Sequence, residues 1–250
     1  MLARAFGLVR SLALYHGIPG RARRMRAFYA PFVPAGSVCF DVGAHVGNRT
    51  RCFRSLGARV VAVEPQPDCA ALLARLFARD PGVTLLRAVL GEGPGRATLM
   101  ENPVNPTVGT LDTDWVRRAR SVAGFETQRW EAGAEVEVTT LDALIATHGE
   151  PAFVKIDVEG FEAAVLRGLS RPVPALSFEV LPALRERAFE CLDRLDALGR
   201  YEFEWSTGER LRLERGGWMT SGAMRDWLQA LPAHAPSGDV YARLTASSVR

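Results

Sequence analysis

Cysteine is scarce in this 250-residue sequence, and its four copies, Cys39, Cys52, Cys69 and Cys191, form no CxxC pair and have no histidine at zinc-site spacing. That pattern argues against a disulfide framework and against a zinc module. Cys39 and Cys69 lie in apolar contexts, where a free thiol behaves as a small hydrophobe, so a reduced, cytoplasmic protein is expected. An excess of one charge is lacking too. Lys and Arg total 31 against 28 Asp and Glu, a formal net charge of +3, too little for the concentrated basic face of a nucleic-acid binder. No nucleic-acid partner is expected. No apolar run approaches the roughly 18 residues of a membrane span, so no integral membrane segment is expected either. The opening MLARAFGLVRSLALYH is apolar, but Arg10 interrupts it. It reads as an amphipathic helix over residues 2–16 that packs Leu8, Leu12 and Tyr15 onto the domain. Repeats and low-complexity tracts are absent.

What is present is ordinary globular composition, 48% hydrophobic and 24% charged. Pro31, Pro34 and Gly36 punctuate the end of a helical N-terminal extension, residues 1–35, ahead of one domain over 36–250. There SVCFDVG (37–43), ARVVAVEP (58–65) and VTLLRAVL (83–90) read as buried strands, separated by helices over 48–56 and 68–77. Residues 91–135 break the alternation with turn formers, a strand at 96–100 and a short helix near Trp115, as substrate loops do. Alternation resumes with a strand and helix in 136–149, PAFVKIDVEG (151–160), a helix over 161–169 and PALSFEV (174–180). A helix at 184–198, segments near 201–205 and 211–214, and a last edge strand at 238–244 follow. This is an α/β pattern: a doubly wound, mostly parallel sheet with helices on both faces.

Three acids stand at strand ends: Asp41, Glu64 and Asp157. Ligands of such sheets sit outside the carboxyl ends of the strands, where strand order reverses. Adjacent first and second strands place Asp41 and Glu64 over one crevice, with Gly43 and Gly47 admitting close backbone approach. The spacing is G-x-x-x-G, not the G-x-G-x-x-G of a dinucleotide fold. Asp41 would repel a pyrophosphate and suits a cationic tail such as the ammonium and sulfonium of S-adenosyl-L-methionine, while Glu64 can accept from ribose hydroxyls.

DVGAHVGNRT, AVEPQP and FVKIDVEGFEAAVLRGL resemble, in order and separation, the signatures of the FkbM family of S-adenosylmethionine-dependent methyltransferases, over about residues 36–182. The resemblance implies a class I methyltransferase-like (Rossmann-like) sheet. Asp41, Gly43 and Gly47 would line the methionine side and Glu64 would bind ribose, with His45, Asn48 and Pro65 in the same cofactor-binding set. The family usually has Asn at position 45; His45 replaces its hydrogen bond, signals altered chemistry or lines the site passively.

KIDVEG follows the fourth strand, from which a class I methyltransferase reaches the transferring methyl. A hydroxyl acceptor must lose its proton, which Asp157 or Glu159 can take as general base. Lys155, two residues before Asp157 and on the same side of the strand, pairs with a carboxylate or steadies developing negative charge. Asp157, Glu159 and Glu162 have the oxygen ligands of a divalent-metal site, but neighbouring carboxylates are common without one, and no metal is expected. Glu179, ending the fifth strand, can face the crevice as well. Asn105, Thr107 and Thr110 offer hydrogen bonds to a polar acceptor, and Trp218 and Trp227 either flank its entrance or pack inside. The expected reaction is O-methylation of a hydroxyl on a sugar, glycan or secondary metabolite. A nicotinamide-dependent oxidoreductase and a non-catalytic methyltransferase-like binding module are the alternatives.

Overall fold

Five residues, Val38–Val42, form β1 at the centre of the molecule. Val38, Phe40 and Val42 turn into one hydrophobic cluster and Cys39 into another, so the strand is buried on both faces and reads as an apolar run. A computed structural model describes residues 2–102, 105, 108–122 and 125–245. In it β1 pairs in parallel with β2 (Arg59–Val63) on one side and β7 (Pro151–Ile156) on the other. Beyond β2 lies β3 (Val83–Leu86); beyond β7 lie β8 (Ala175–Val180), β10 (Gly238–Leu244) and β9 (Tyr201–Thr207). The strand order reverses between β1 and β7, the place where an open α/β sheet opens a crevice.

Helices cover both faces. On one, α2 (Arg21–Tyr29) and α3 (Asn48–Ser55) bury Met25, Tyr29, Cys52 and Phe53 against Phe153 of β7 and Tyr241 of β10. On the same face α4 (Pro67–Leu76) packs Leu73 on Ala44 and Ala62, and α1 (Leu2–His16) lies against α4. The opposite face carries α6 (Leu141–His148), α7 (Glu162–Arg167), α8 (Glu186–Leu198) and α9 (Ser221–Ala230) over the largest cluster. Along α1, Gly7 and Ser11 are buried and Leu8, Leu12 and Tyr15 half-buried, so the expected stripe does face the domain. All four cysteines are buried and unpaired. No described helix is long and apolar enough to cross a membrane.

Several segments differ from expectation. The run at 83–90 is two strands: after β3, residues 87 and 88 hand the chain to β4 (Val89–Leu90) in a second sheet ordered β4-β6-β5. There β6 (Glu131–Thr139) and β5 (Gly95–Glu101) pair antiparallel. The strand before α6 therefore belongs to this small sheet and not to the main series. Gly238–Leu244 is no edge strand; β10 runs antiparallel between β8 and β9, with Val240 and Ala242 fully buried, and β9 is the edge. The segment near 211–214 forms no regular element.

Phe153 is fully buried and meets Tyr29, Phe53 and Tyr241 edge-on or stacked. Phe153→Ala is expected to cost about 3–5 kcal/mol. At about 2–4 °C per kcal/mol for a domain this size, the melting midpoint falls by roughly 6–20 °C. A loss below about 1 kcal/mol would show that this cluster is not the core assigned to it.

Candidate active site

Three strand ends are tied together at the switch point. After β1 the chain turns through Gly43 (φ 82°), His45 (φ 49°) and Gly47 (φ 75°) into α3. A Cβ on Gly43 would sit 1.9 Å from the carbonyl oxygen of Asp157, so only glycine lets this turn lie against the end of β7. Gly43 and Ala44 donate their N–H groups to the Val63 carbonyl at 2.9 and 3.0 Å, and the Asp157 N–H donates to the Val42 carbonyl at 3.0 Å. Glu64, just past β2 and only 2% exposed, closes the arrangement. Its Oε2 accepts from the His45 N–H and its Oε1 from the Gln66 N–H, both at 2.8 Å. Burial pushes the Glu64 carboxyl up to about 7 against the pull of those two donors.

A cleft opens over this turn, lined by Gly43, His45, Glu64 and Pro65, with Thr110 and Asp157 among the groups facing them. Apolar side chains, Val89, Leu90, Leu99 and Phe161 among them, form its walls, and no Arg or Lys lines it among the described residues. Three of the expected cofactor residues lie outside this lining. Asp41 faces α3, where its buried Oδ2 accepts from Thr50 Oγ1 at 2.5 Å. Gly47 packs toward Leu73 of α4 and Phe77 just past its end. Asn48 opens α3 and lines a separate hollow beside Tyr15.

At the rim the carboxylates of Asp157, Glu159 and Glu179 come together, with one oxygen of each within 4.8 Å of the others. Glu179, read from sequence only as able to face the crevice, is a full member. Glu162 borders the cavity beyond these acids but stands outside the cluster: its Oε1 accepts from the Val158 and Gly160 N–H groups at 3.2 and 3.1 Å and holds the 158–160 turn. Within that turn Glu159 has φ 52°, a left-handed conformation unusual for a residue with a side chain. Gly160 (φ 94°) lies against the Trp115 ring, which α5 (Thr113–Ala119) presents with Asp112 as its N-cap. Beyond the acids a second cavity opens, lined by Glu159 and Glu179 together with Tyr15, Trp115, Arg187 and His234.

The charges in this cluster are graded. Lys155 is 1% exposed and lines neither cavity; its Nζ lies 2.8 Å from Asp239 Oδ1 and 3.2 Å from Asp157 Oδ2. Burial alone would lower its ammonium, but Asp157 and Asp239 outweigh burial and hold it well above its ordinary value. Burial likewise opposes ionisation of Asp157, yet Lys155 and then Arg49 keep its carboxyl below the ordinary range. Glu159 and Glu179 go the other way, pushed well above it by burial and then by neighbouring carboxylates. One ionised carboxylate thus sits beside two carboxyls that hold protons more tightly, a separation of proton affinities of the kind acid–base chemistry uses.

Asp239 escaped the sequence reading, although an acid within the apolar GDVYARL is a signal for a buried partner. Tyr15 was read as a packing residue. It lines the second cavity and meets the His45 ring edge-on at 5.7 Å between centroids, bringing α1 into the site. Thr110 lines the first cleft; Thr107 lies outside the described residues. Trp227 packs on Trp205, and Trp218 stands near Phe32 and under Arg243, so neither flanks these cavities.

The FkbM methyltransferase domain matches residues 41–231, three quarters of the chain. The chain belongs to the FkbM methyltransferase family. The matched domain is a methyltransferase domain, and the nicotinamide-dependent alternative is not favoured. Hexuronic acid methyltransferase AglP of Haloferax volcanii is 28% identical over 148 residues, covering 58% of this chain and 54% of that protein. The match thus spans about half of that relative's length. Among solved structures the FkbM chain is similar to an O-methyltransferase from Bacillus cereus in complex with SAH, at 12% identity and a TM-score of 0.46, covering 96% of this chain and 90% of that one. A precorrin-6Y C5,15-methyltransferase from Geobacter metallireducens gives 12% identity and a TM-score of 0.45, with 89% and 87% covered.

Burial holds both Glu64 and Glu162 up to about 7, above an ordinary value near 4.5. A carboxyl raised on folding stabilises the native state fully below its unfolded value, and that contribution is lost as pH rises through the folded one. The FkbM chain is therefore expected to melt at a lower temperature at pH 7.5 than at pH 5, with Glu162→Gln flattening the profile. A midpoint that stays level or climbs over this interval would contradict the assignment.

Proposed function

We propose that this FkbM methyltransferase methylates a hydroxyl of a sugar-type acceptor, with S-adenosylmethionine in the Glu64 cleft and the acceptor in the adjoining cavity. One observation carries the reading: Asp157 lines the first cavity, Glu159 and Glu179 line the second, and one oxygen of each carboxylate lies within 4.8 Å of the others. The cleft's chemistry fits the cofactor. An acid stands ready for ribose hydroxyls, apolar walls suit a flat base, and among the described residues the lining lacks the Arg and Lys side chains that a pyrophosphate would call for. Glu64 would hold the ribose, and the Gly43–His45 backbone would border the methionine part. When bound, the cofactor supplies a methyl group on a cationic sulfur. Asp41, Gly47 and Asn48 would act through the shape of the turn rather than by contact.

The chain's own task is to place the acceptor oxygen and receive its proton. Holding the oxygen in line with the methyl supplies much of the acceleration in a displacement. Lys155 and then Arg49 keep Asp157 ionised at the rim, and the proton leaving the hydroxyl passes to the carboxylate cluster. Glu159 or Glu179, with raised affinity for protons, is the better final holder. A sugar acceptor is favoured by the curated relative, whose name gives hexuronic acid as its substrate.

Asp157→Asn, Glu159→Gln and Glu179→Gln test this, assayed on a panel of uronic acids, neutral sugars and glycans with labelled cofactor and mass-spectrometric detection. At least one variant should lose about 10²–10⁴-fold in kcat while binding S-adenosylhomocysteine as the parent does. Full activity in all three would remove the carboxylates from catalysis. Transfer to nitrogen or carbon acceptors alone would overturn the hydroxyl reading.

A further inference from the structure

The N-terminal helix α1 has one face buried and the other exposed over residues 7–15, its described side chains. Its inner side is fixed: Tyr15 meets His45, the Arg21 guanidinium lies 5.2 Å from the Tyr15 ring centroid, and Arg21 Nη1 donates to the Leu14 carbonyl at 2.9 Å. Arg21 is itself paired with Glu209 at 2.7 Å. With that side held, Val9, Arg10, Ala13 and Leu14 form an outer stripe, and Ile18 follows in the turn after it. Val9 is 63%, Leu14 50% and Ile18 44% exposed, and only Leu76 joins them as an exposed large hydrophobic among the described residues. Scattered single exposed apolar residues need no explanation; three on one short segment do.

Charge is segregated on the same segment. The first 40 residues contain six arginines and no acid, so the remaining 210 carry a net −3 within a chain of +3. Arg10, Arg23, Arg24 and Arg26 are exposed, while Ile18 and Arg26 border one hollow together with Arg51. None of these arginines pairs with a carboxylate among the described residues, unlike Arg21, Arg49, Arg54 and Arg187. At 15 residues, or about 22 Å, the helix is too short to span a bilayer. Exposed aliphatic side chains interleaved with unpaired arginines are the composition of a helix that lies in the interface of an anionic bilayer.

We infer that the outer face of α1, with Arg10 on it and with Arg26 and Arg51 beside Ile18, docks this methyltransferase on an anionic lipid surface. Aliphatic side chains enter the headgroup boundary and arginines meet the lipid phosphates. An RNA partner would use the arginines but gain nothing from Val9, Leu14 and Ile18. The docking helix is also the one whose Tyr15 lines the second cavity, so the site stands close to the surface it binds. This inference is independent of which acceptor is methylated.

The test is flotation of the full chain with phosphatidylcholine vesicles and with mixed phosphatidylcholine–phosphatidylglycerol vesicles, at low and high salt. The parent should partition at least about tenfold more strongly to the anionic vesicles and be released by salt. Both Val9→Asp/Leu14→Asp and Arg10→Glu/Arg26→Glu should lose that binding with unchanged melting midpoints, since all four side chains are exposed. Equal partitioning to both vesicle types, or binding that survives in both variants, would overturn the assignment. So would vesicle indifference combined with tight binding of an RNA oligonucleotide, or with a dimer that these substitutions disperse.

Discussion

Everything at the carboxyl end of the sheet depends on how closely the β1–α3 turn approaches the end of β7. Gly43 sits where any Cβ would overlap the Asp157 carbonyl, and the Val42 and Val63 carbonyls take up the N–H groups around it. Glu64 ties the same turn to β2 by accepting from His45 and Gln66. Loosening that contact would part the cleft from the carboxylates at its rim. The cavity for a cofactor and the groups for proton transfer are thus two sides of one packed backbone junction.

Beneath that junction lies a buried ion group that makes the antiparallel strand part of the site. Lys155, the chain's only lysine, bridges β7 to β10 through Asp239 and reaches Asp157. Taking such charges out of water costs several kcal/mol per ion unless partners satisfy them, so the group is weak grounds for stability. Its consequence is electrostatic: it fixes one anion at the rim. Around that anion, Glu159 and Glu179 become strong proton acceptors. The pair differs in environment from Asp157 by a few ångströms, and that separation of proton affinities marks acid–base work.

The strands β1, β2 and β7 were legible because burial on both faces leaves uninterrupted apolar runs ending in an acid or glycine. The family signatures lie in these same runs, so the family and its sheet were readable as well. What local pattern could not carry was pairing over distance. β10 joins β8 and β9 across the end of the chain, and Asp239 meets Lys155 over 84 residues. Nothing nearby in sequence distinguishes an interior antiparallel strand from an edge. Strand-end position alone did not reveal where Asp41 points: one residue before Val42, it faces α3 and Thr50 while Val42 faces the largest core cluster. Glu162 was grouped with the rim acids by spacing alone, whereas the tight turn at 158–160 bends its carboxylate back onto backbone donors. The small second sheet arose from a run too short to show its own break at residues 87 and 88.

The most direct test of the account is ligand discrimination by the Glu64 cleft, followed by thermal melting. S-adenosylhomocysteine at a hundred times its dissociation constant adds about 2.7 kcal/mol to the native state. For a domain of this size that raises the midpoint by roughly 5–10 °C. The account predicts this rise with S-adenosylhomocysteine and none with NAD. A shift with NAD alone, or with neither ligand, would contradict the central claim that this cleft holds the methyl donor.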